Sequence, residues 1–350
     1  MIEKQLWHPV VASHEVTDAP VGVALLDESV VLWREPGHEG TRGQVHAWAD
    51  RCPHRGARLS LGRVLNHLHG ARLECPYHGW QFAGDAAAAQ TGASCARCVH
   101  VPAAPEFVPP ASHAVTAFEA REVNGLIWVR LASPVVDLPP ALMEPPAYAP
   151  WNDVEWRHLM FGPYDIQTSA PRMVENFIDL SHFGFVHEGW LGARSHAQVE
   201  TGRVEEGDQG VQAHHCRAWQ PRGYAGDAGG IWVDYRYEVP HPFAAILFKD
   251  ATQGDPISNA FALFIRPDGD ERCTAWFAMA LKNDPSEEET IREFQETVFS
   301  QDCPVVESQM PRRLPIGKEA PIREVHSPAD RMSSAYRRYL QRLGIKLGVC

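Results

Sequence analysis

The chain lacks what would place it in a membrane, on a nucleic acid or in a disulfide scaffold. No apolar run approaches the roughly 20 residues needed to span a bilayer. The opening Met1-Ile2-Glu3-Lys4 has mixed charges and no apolar stretch behind a basic head, so the cytoplasm is the expected compartment. Basic residues are outnumbered, 32 against 44 acidic, and the net charge of −12 argues against a phosphate backbone as partner. Eight cysteines in 350 residues are too few for a disulfide framework, which leaves metal or structural roles for them. There is no Gly-rich dinucleotide fingerprint, no internal repeat, and no low-complexity tract beyond Ala86 to Ala89. With 44% apolar and 22% charged residues, the composition is that of a globular protein long enough for two domains.

The first third reads as short strands and turns. Val21 to Leu26, Val30 to Trp33, Gln44 to Ala49, Val115 to Ala120 and Leu126 to Leu131 are apolar runs, with Asn124-Gly125 as a turn signal. Ser133 to Pro150 is rich in proline, which suits neither a sheet interior nor a helix interior, and reads as a crossing between domains. One domain is expected over 1–135 and a second over 136–350. The second mixes strands (Ile231 to Val239, Ala260 to Ile265, Cys273 to Leu281) with three helices. The first helix is expected from about Arg172 to His182. A second is expected from Ser286, with Ser286-x-x-Glu289 as capping box, and a third after Ser327-Pro328.

Cys52-Pro53-His54 is followed by Cys75-Pro76-Tyr77-His78-Gly79-Trp80. Zinc would gather all four ligands on one ion. A Rieske cluster would set two thiolates on one iron and two imidazoles on the other. Each loop supplies one Cys and one His, which is what split ligation of a binuclear cluster needs. Cys95-Ala-Arg-Cys98 reads as a loop after the cluster-binding strands rather than a second metal pair, and Cys216, Cys273 and Cys303 as isolated thiols.

A second constellation runs from Glu175 to His187. Asp179 and His182 are three apart and would share a helix face. His182 and His187 are five apart, a rotation of about 140° on an ideal helix, so they meet at one metal only if the helix breaks or widens between them. Gly184 is placed for that break. The helix from Ser286 carries an apolar stripe of Ile291, Phe294, Val298 and Val305, and Asp302 falls on it. A buried carboxylate there needs a partner or a metal. Two His and one carboxylate make the facial triad of non-haem iron(II) oxygenases.

With both constellations in one chain, the sequence resembles the Rieske non-haem iron oxygenases over essentially its whole length. Cys-Pro-His-Arg-Gly…Cys-Pro-Tyr-His-Gly-Trp is similar to the Rieske signature. Asn176-x-x-Asp179-x-x-His182-x₄-His187 and Gln301-Asp302-x-Pro304-Val305-x-Glu307-Ser308-Gln309 resemble the mononuclear site and its carboxylate helix. The likeness is to compact enzymes without a small second subunit, among them methylxanthine N-demethylases, toluenesulfonate methyl-monooxygenases and saxitoxin-pathway hydroxylases. Four further stretches look closest to the last of these: Val31 to Arg34, Val108 to Ser112, His187 to Gly192, and the C-terminal end.

The resemblance implies an α+β chain, with an N-terminal all-β Rieske domain and a C-terminal catalytic domain of helix-grip type with a curved antiparallel sheet. It implies a [2Fe–2S] cluster on Cys52, His54, Cys75 and His78, and a mononuclear Fe(II) on His182, His187 and Asp302. Electrons would come from NAD(P)H through a separate flavin- or ferredoxin-type reductase, to hydroxylate or oxidatively demethylate a small cyclic substrate with O₂. It implies a head-to-tail homotrimer in which Asp179 links His182 to His78 of the partner subunit. Asn176 matches a polar residue near the iron. The alternatives are arene cis-dihydroxylation and a Rieske electron-transfer protein without oxygenase activity. Trp190, Trp232, Tyr235, Phe261 and Phe264 are expected in the core more than at a ligand.

Overall fold

The computed structural model describes residues 1–37, 41–67, 70–84, 95–135, 137–222, 230–250, 258–318 and 320–350. The Ala86 to Ala89 tract lies outside the described residues. The chain divides into two compact units, Lys4–Asp137 and Leu138–Cys350, the latter joined by Met1–Glu3. Among the described residues no helix is long and apolar enough to cross a membrane.

The first unit is built from β1 (His8–Ala12), β2 (Val21–Leu25), β3 (Glu28–Arg34), β4 (Val45–Ala49), β5 (Arg63–Leu65), β6 (Arg72–Glu74), β7 (Gln81–Gly84), β8 (Cys95–His100), β9 (Val115–Val123) and β10 (Leu126–Arg130). They pair in the order β2-β3-β4-β9-β8-β7-β6-β5, with β10 joining β9 to β1. Asn124 and Gly125 take φ of 55° and 75°, and Leu26 and Asp27 take 48° and 66°. These are two-residue hairpin turns whose positive φ matches strand twist. Trp33, Trp48, Leu73 and Phe82 fill one core beneath the short strands β5 to β8. Cys95 and Cys98 lie within β8, not in a loop. Three apart on a strand, their side chains leave opposite faces, so the pair cannot close on one metal.

The second unit is an antiparallel sheet in the order β11-β17-β16-β15-β14-β13-β12. Its strands are β11 (Arg157–Ile166), β12 (Arg203–Gly207), β13 (Gly210–Gln220), β14 (Ile231–His241), β15 (Ala244–Asp250), β16 (Ser258–Pro267) and β17 (Cys273–Lys282). Register shifts at Phe161/Tyr164, Ala213/Cys216 and Glu238/His241 bend it. In β14 every second residue from Val233 to His241 is buried, so one face is covered. The cover comes from α1 (Ala170–Phe177), α2 (Phe183–Val186), α3 (Glu288–Ser308) and α4 (Arg331–Leu343).

Two of the three expected helices are corrected and the third is found as expected. The first helix ends at Phe177, five residues before His182. The second starts at Glu288, because Asp284 Oδ1 accepts the Ser286 N–H (2.9 Å) in a local turn and Ser286 is buried instead of capping. Its buried stripe is Ile291, Gln295, Phe299, Asp302 and Val306, while Val305 is 42% exposed. Asp302 nevertheless stays on the inner face. Ser327 does cap its helix through a capping box with Asp330, in a short 3₁₀ turn ahead of α4.

Candidate metal centres

The two Cys-His loops repeat one turn. The Cys52 N–H donates to Ala57 O (2.8 Å) and the Gly56 N–H to Cys52 O (2.9 Å). The Cys75 N–H donates to Trp80 O (2.8 Å) and the Gly79 N–H to Cys75 O (3.1 Å). Gly56 and Gly79 take φ of 73° and 69°, a conformation any side chain would strain. Asp50 closes the first loop by accepting from the Ser60 N–H (2.7 Å) and hydroxyl (2.6 Å).

Within these matched frames the thiols turn inward and the imidazoles outward. Cys52 and Cys75 are each 2% exposed, while His54 and His78 are exposed. The two thiols sit beside each other, and burial plus this neighbour push Cys52 up to about 11. The rings of His54 and His78 lie 4.6 Å apart, and His54 stacks on Trp80 at 4.5 Å. Desolvation, then the charges of His78, Arg55 and His113, hold His54 below its ordinary value, which favours the neutral, metal-binding imidazole. A buried sulfur pair beside an exposed nitrogen pair fits a two-iron cluster with split ligation.

The second constellation is assembled from three segments. The Ser169 hydroxyl accepts the Arg172 N–H (3.3 Å) to start α1. After Phe177 the chain turns. The Asp179 N–H donates to Asn176 O (3.2 Å) and the Ser181 N–H to Asp179 Oδ1 (2.8 Å). Asp179 and His182 therefore meet in a turn and not on a helix face. His182 and His187 flank α2, one at each end. The break does not fall at Gly184, which lies inside α2. A Cβ on Gly184 would sit 3.0 Å from Ala193 O, so its smallness serves close approach of the chain near Ala193.

The outcome is a convergent donor set. His187 Nε2 is 3.2 Å and His182 Nε2 3.6 Å from Asp302 Oδ1, and one ligand atom from each residue lies within 4.8 Å of the others. Donors at right angles around a metal, with bonds of about 2.1 Å, stand about 3 Å apart. Each imidazole is fixed from behind. His182 Nδ1 faces Asp179 Oδ2 (3.2 Å), and His187 Nδ1 faces Gln301 Oε1 (2.9 Å). These contacts assign the proton to Nδ1 and turn both Nε2 lone pairs toward Asp302. Burial would raise Asp179, but His182 and the Ser181 N–H outweigh it and hold its carboxyl below the usual range. The Asn176 amide donates to Asp302 Oδ1 (3.2 Å). The sequence offered one sign of Gln301, its place directly before Asp302, but nothing that assigned its role.

A cavity of about 130 Å³ opens beside this set. Most of its lining is apolar, including Phe177, Leu247, Phe261, Met279 and Ile291. Of the five aromatic residues named from sequence, Tyr235 and Phe261 line it. Phe264 is fully buried in the core and Trp232 is 38% exposed. Trp190 packs on Phe294 and under Arg222.

Residues 6–107 match the Rieske [2Fe-2S] domain family and residues 166–345 the vanillate O-demethylase oxygenase C-terminal domain family. The chain is 31% identical over 347 residues to methylxanthine N1-demethylase NdmA of Pseudomonas putida, covering 97% of this chain and 89% of that one. It is 26% identical over 361 residues to the oxygenase component of dicamba O-demethylase of Stenotrophomonas maltophilia, covering 97% of each. The solved structure of an NdmA variant from Pseudomonas putida CBB5 with theobromine superposes with a TM-score of 0.75 at 29% identity, covering 97% of this chain and 90% of that one. Of the compact enzymes the sequence resembles, these comparisons bring forward the methylxanthine N-demethylases.

Proposed function

Because the chain belongs to the Rieske oxygenases, as an alpha component of the demethylase type, we propose that it removes an N- or O-linked methyl group from a small cyclic or heterocyclic substrate by hydroxylating that carbon. In balance, the methyl compound, O₂, two electrons and two protons give the hydroxymethyl compound and water. The hemiaminal or hemiacetal then collapses to the demethylated product and formaldehyde. The observation that carries this reading is the pair of imidazoles tied back at Nδ1, with both Nε2 atoms turned to Asp302 beside an apolar cavity.

In this reading Cys52, Cys75, His54 and His78 hold the [2Fe–2S] cluster, and His182, His187 and Asp302 hold Fe(II). The iron, when bound, supplies dioxygen activation, and the cluster supplies single electrons. The protein's own residues do the rest. Asp179 and Gln301 keep the imidazoles in one tautomer and orientation. Asn176 restrains the Asp302 carboxylate. Phe177, Phe261 and Met279 keep water from the substrate's reacting carbon. The electron source is NAD(P)H through a separate reductase, and the assembly a head-to-tail homotrimer in which Asp179 contacts His78 of the partner subunit.

The test is iron content and product. Three irons per chain are expected. With a surrogate reductase, O₂ uptake should match formaldehyde release from an N-methyl or O-methyl compound. Two irons per chain and no turnover would leave an electron-transfer protein. A cis-diol without formaldehyde would move the chain to arene dihydroxylation.

A further inference from the structure

The floor of the cavity is a grid of side chains on neighbouring strands. Leu247 pairs with Phe261 and Phe261 with Met279, giving one apolar row. Two residues along, Tyr235 pairs with Lys249 and Lys249 with Asn259. Residues two apart on a strand share a face, so this second row also faces the cavity, and all three of its residues line it. It crosses three strands, about 10 Å. The sheet thus presents an apolar bed with one polar edge.

That edge has a defined donor and acceptor pattern. The Lys249 ammonium donates to Gln220 Oε1 (2.9 Å). The Asn259 amide nitrogen donates to Asp284 Oδ2 (3.2 Å). A carboxylate only accepts, so Asp284 settles which way the Asn259 amide points and leaves its Oδ1 as the remaining acceptor. Asn259 is 5% exposed and Tyr235 2%. Among the described residues, neither Asn259 Oδ1 nor the Tyr235 hydroxyl has a hydrogen-bond partner. Buried polar atoms without partners are rare and costly, and two of them in one row on a cavity wall need an explanation. A ligand that completes them is one.

We propose that this row is the recognition edge for the substrate and that the substrate is a planar methylated heterocycle with a carbonyl next to a ring N–H. The Tyr235 hydroxyl donates to the carbonyl and Asn259 Oδ1 accepts the N–H. The inference rests on reading this cavity as the substrate site. On this reading a benzoate-type acid is the poorer fit at Asn259, because its carboxylate offers Oδ1 a second acceptor and no donor, and Lys249 is the group in the row that would favour it.

Two xanthines test it. Theobromine carries an imide N–H between two carbonyls, and caffeine has a methyl on that nitrogen. Binding is measured by titration of the iron-loaded, oxidised protein without reductant. No turnover occurs there, so failure of the demethylase reading leaves this test intact. Theobromine should bind about tenfold tighter than caffeine or better, the cost of leaving one buried acceptor unpaired. Asn259→Leu should shrink that ratio below about twofold. Tyr235→Phe should weaken both ligands about fivefold and keep the ratio. It should not lower the ligand-free melting temperature, because the lost hydroxyl had no partner to lose. An undiminished preference in Asn259→Leu overturns the proposal, as does full affinity in Tyr235→Phe. A methoxybenzoate that outbinds theobromine, and loses its affinity with Lys249→Met, also overturns it. Should Asn259→Leu fail to fold, Tyr235→Phe and the acid comparison decide alone.

Discussion

The two candidate metal centres gather their ligands by opposite means. The cluster loops use one turn twice within 28 residues, Cys52 to Gly79, each with a buried Cys at its start and a positive-φ glycine four residues on. The triad draws on the turn after α1, the two ends of α2 and the inner face of α3, with 120 residues between His182 and Asp302. The first is a property of local backbone. The second exists only when α3 is docked and its inner side chains, Ile291, Phe299 and Val306, are buried. The difference teaches that a site can be fixed by turn chemistry or by packing, and that each kind should fail in its own way.

The largest effects should come from removing ligands. Cys75→Ser should abolish the red-brown colour and the reduced-state EPR signal, since split ligation cannot survive without the second thiolate. His187→Ala should lose mononuclear iron and all product formation and yet keep the cluster's signal, because the ligand sets share no residue. Iron analysis and EPR on the same sample check both. A His187→Ala protein with full iron and full turnover would break the comparison at its triad end.

How legible each centre is follows from the same contrast. The cluster loops could be read directly, because Cys, Pro, His and Gly at short spacing specify the turn itself. Around the triad, the residues were legible and the geometry was not. Asp179 and His182 were expected on one helix face and meet in a turn, because α1 ends at Phe177 and the Ser181 N–H is taken by Asp179. Gly184 was expected to break a helix and instead admits a neighbouring backbone. The stripe on α3 was read through Val305, which is exposed, although Asp302 was placed correctly because its neighbours Ile291 and Val298 set the phase. The helix also runs through Pro304, which lacks the N–H for the Ser300 carbonyl and crowds that carbonyl with its ring, yet does not end the helix. Strand β13 was not legible although it pairs with its neighbours in sequence, because Gln212, His214, His215 and Arg217 interrupt its apolar alternation.

Smaller effects should come from residues behind the ligands. Asp179→Asn keeps size and removes charge. Both metals should stay bound and the cluster should still be reducible, with product formation down about 100-fold. Single-turnover kinetics from prereduced protein checks it, and a wild-type rate of cluster oxidation would return Asp179 to an ordinary turn carboxylate. Gln301→Leu removes the neutral acceptor on His187 Nδ1. It should weaken iron binding by about tenfold, less than the charged partner's effect, and leave the EPR signal of the cluster untouched. Equal effects from the two variants would mean that charge on the supporting group does not matter here.

The smallest effect expected is on stability, and it sharpens the claim that the triad depends on packing. Helix α1, which ends just before Asp179, is anchored by an ion network absent from the cluster loops. Arg172 donates to Glu324 (2.6 Å), and Arg337 donates to Glu324 (2.6 Å) and to Glu175 (2.7 and 2.8 Å). Burial would raise Glu324, but Arg172 and Arg337 outweigh it and hold its carboxyl below the usual range. A depressed folded pKa stabilises the protein above the ordinary glutamate value, near 4.5, and this contribution is lost as pH falls from there through the lower folded value. Glu324→Gln should therefore cost about 1–2 kcal/mol at pH 7, a modest figure because the group is partly exposed. The gap between variant and wild type should begin to close as pH drops below about 4.5 and be gone below the lower folded value, where both carry a neutral side chain. Urea unfolding followed by tryptophan fluorescence at pH 7 and at several acid values measures this. The EPR signal of the cluster in folded protein at pH 7 should not change, since the network lies wholly within the other unit. Stability curves that run parallel at every pH would show that Glu324 contributes packing and no charge, and that α1 is held by its apolar contacts alone.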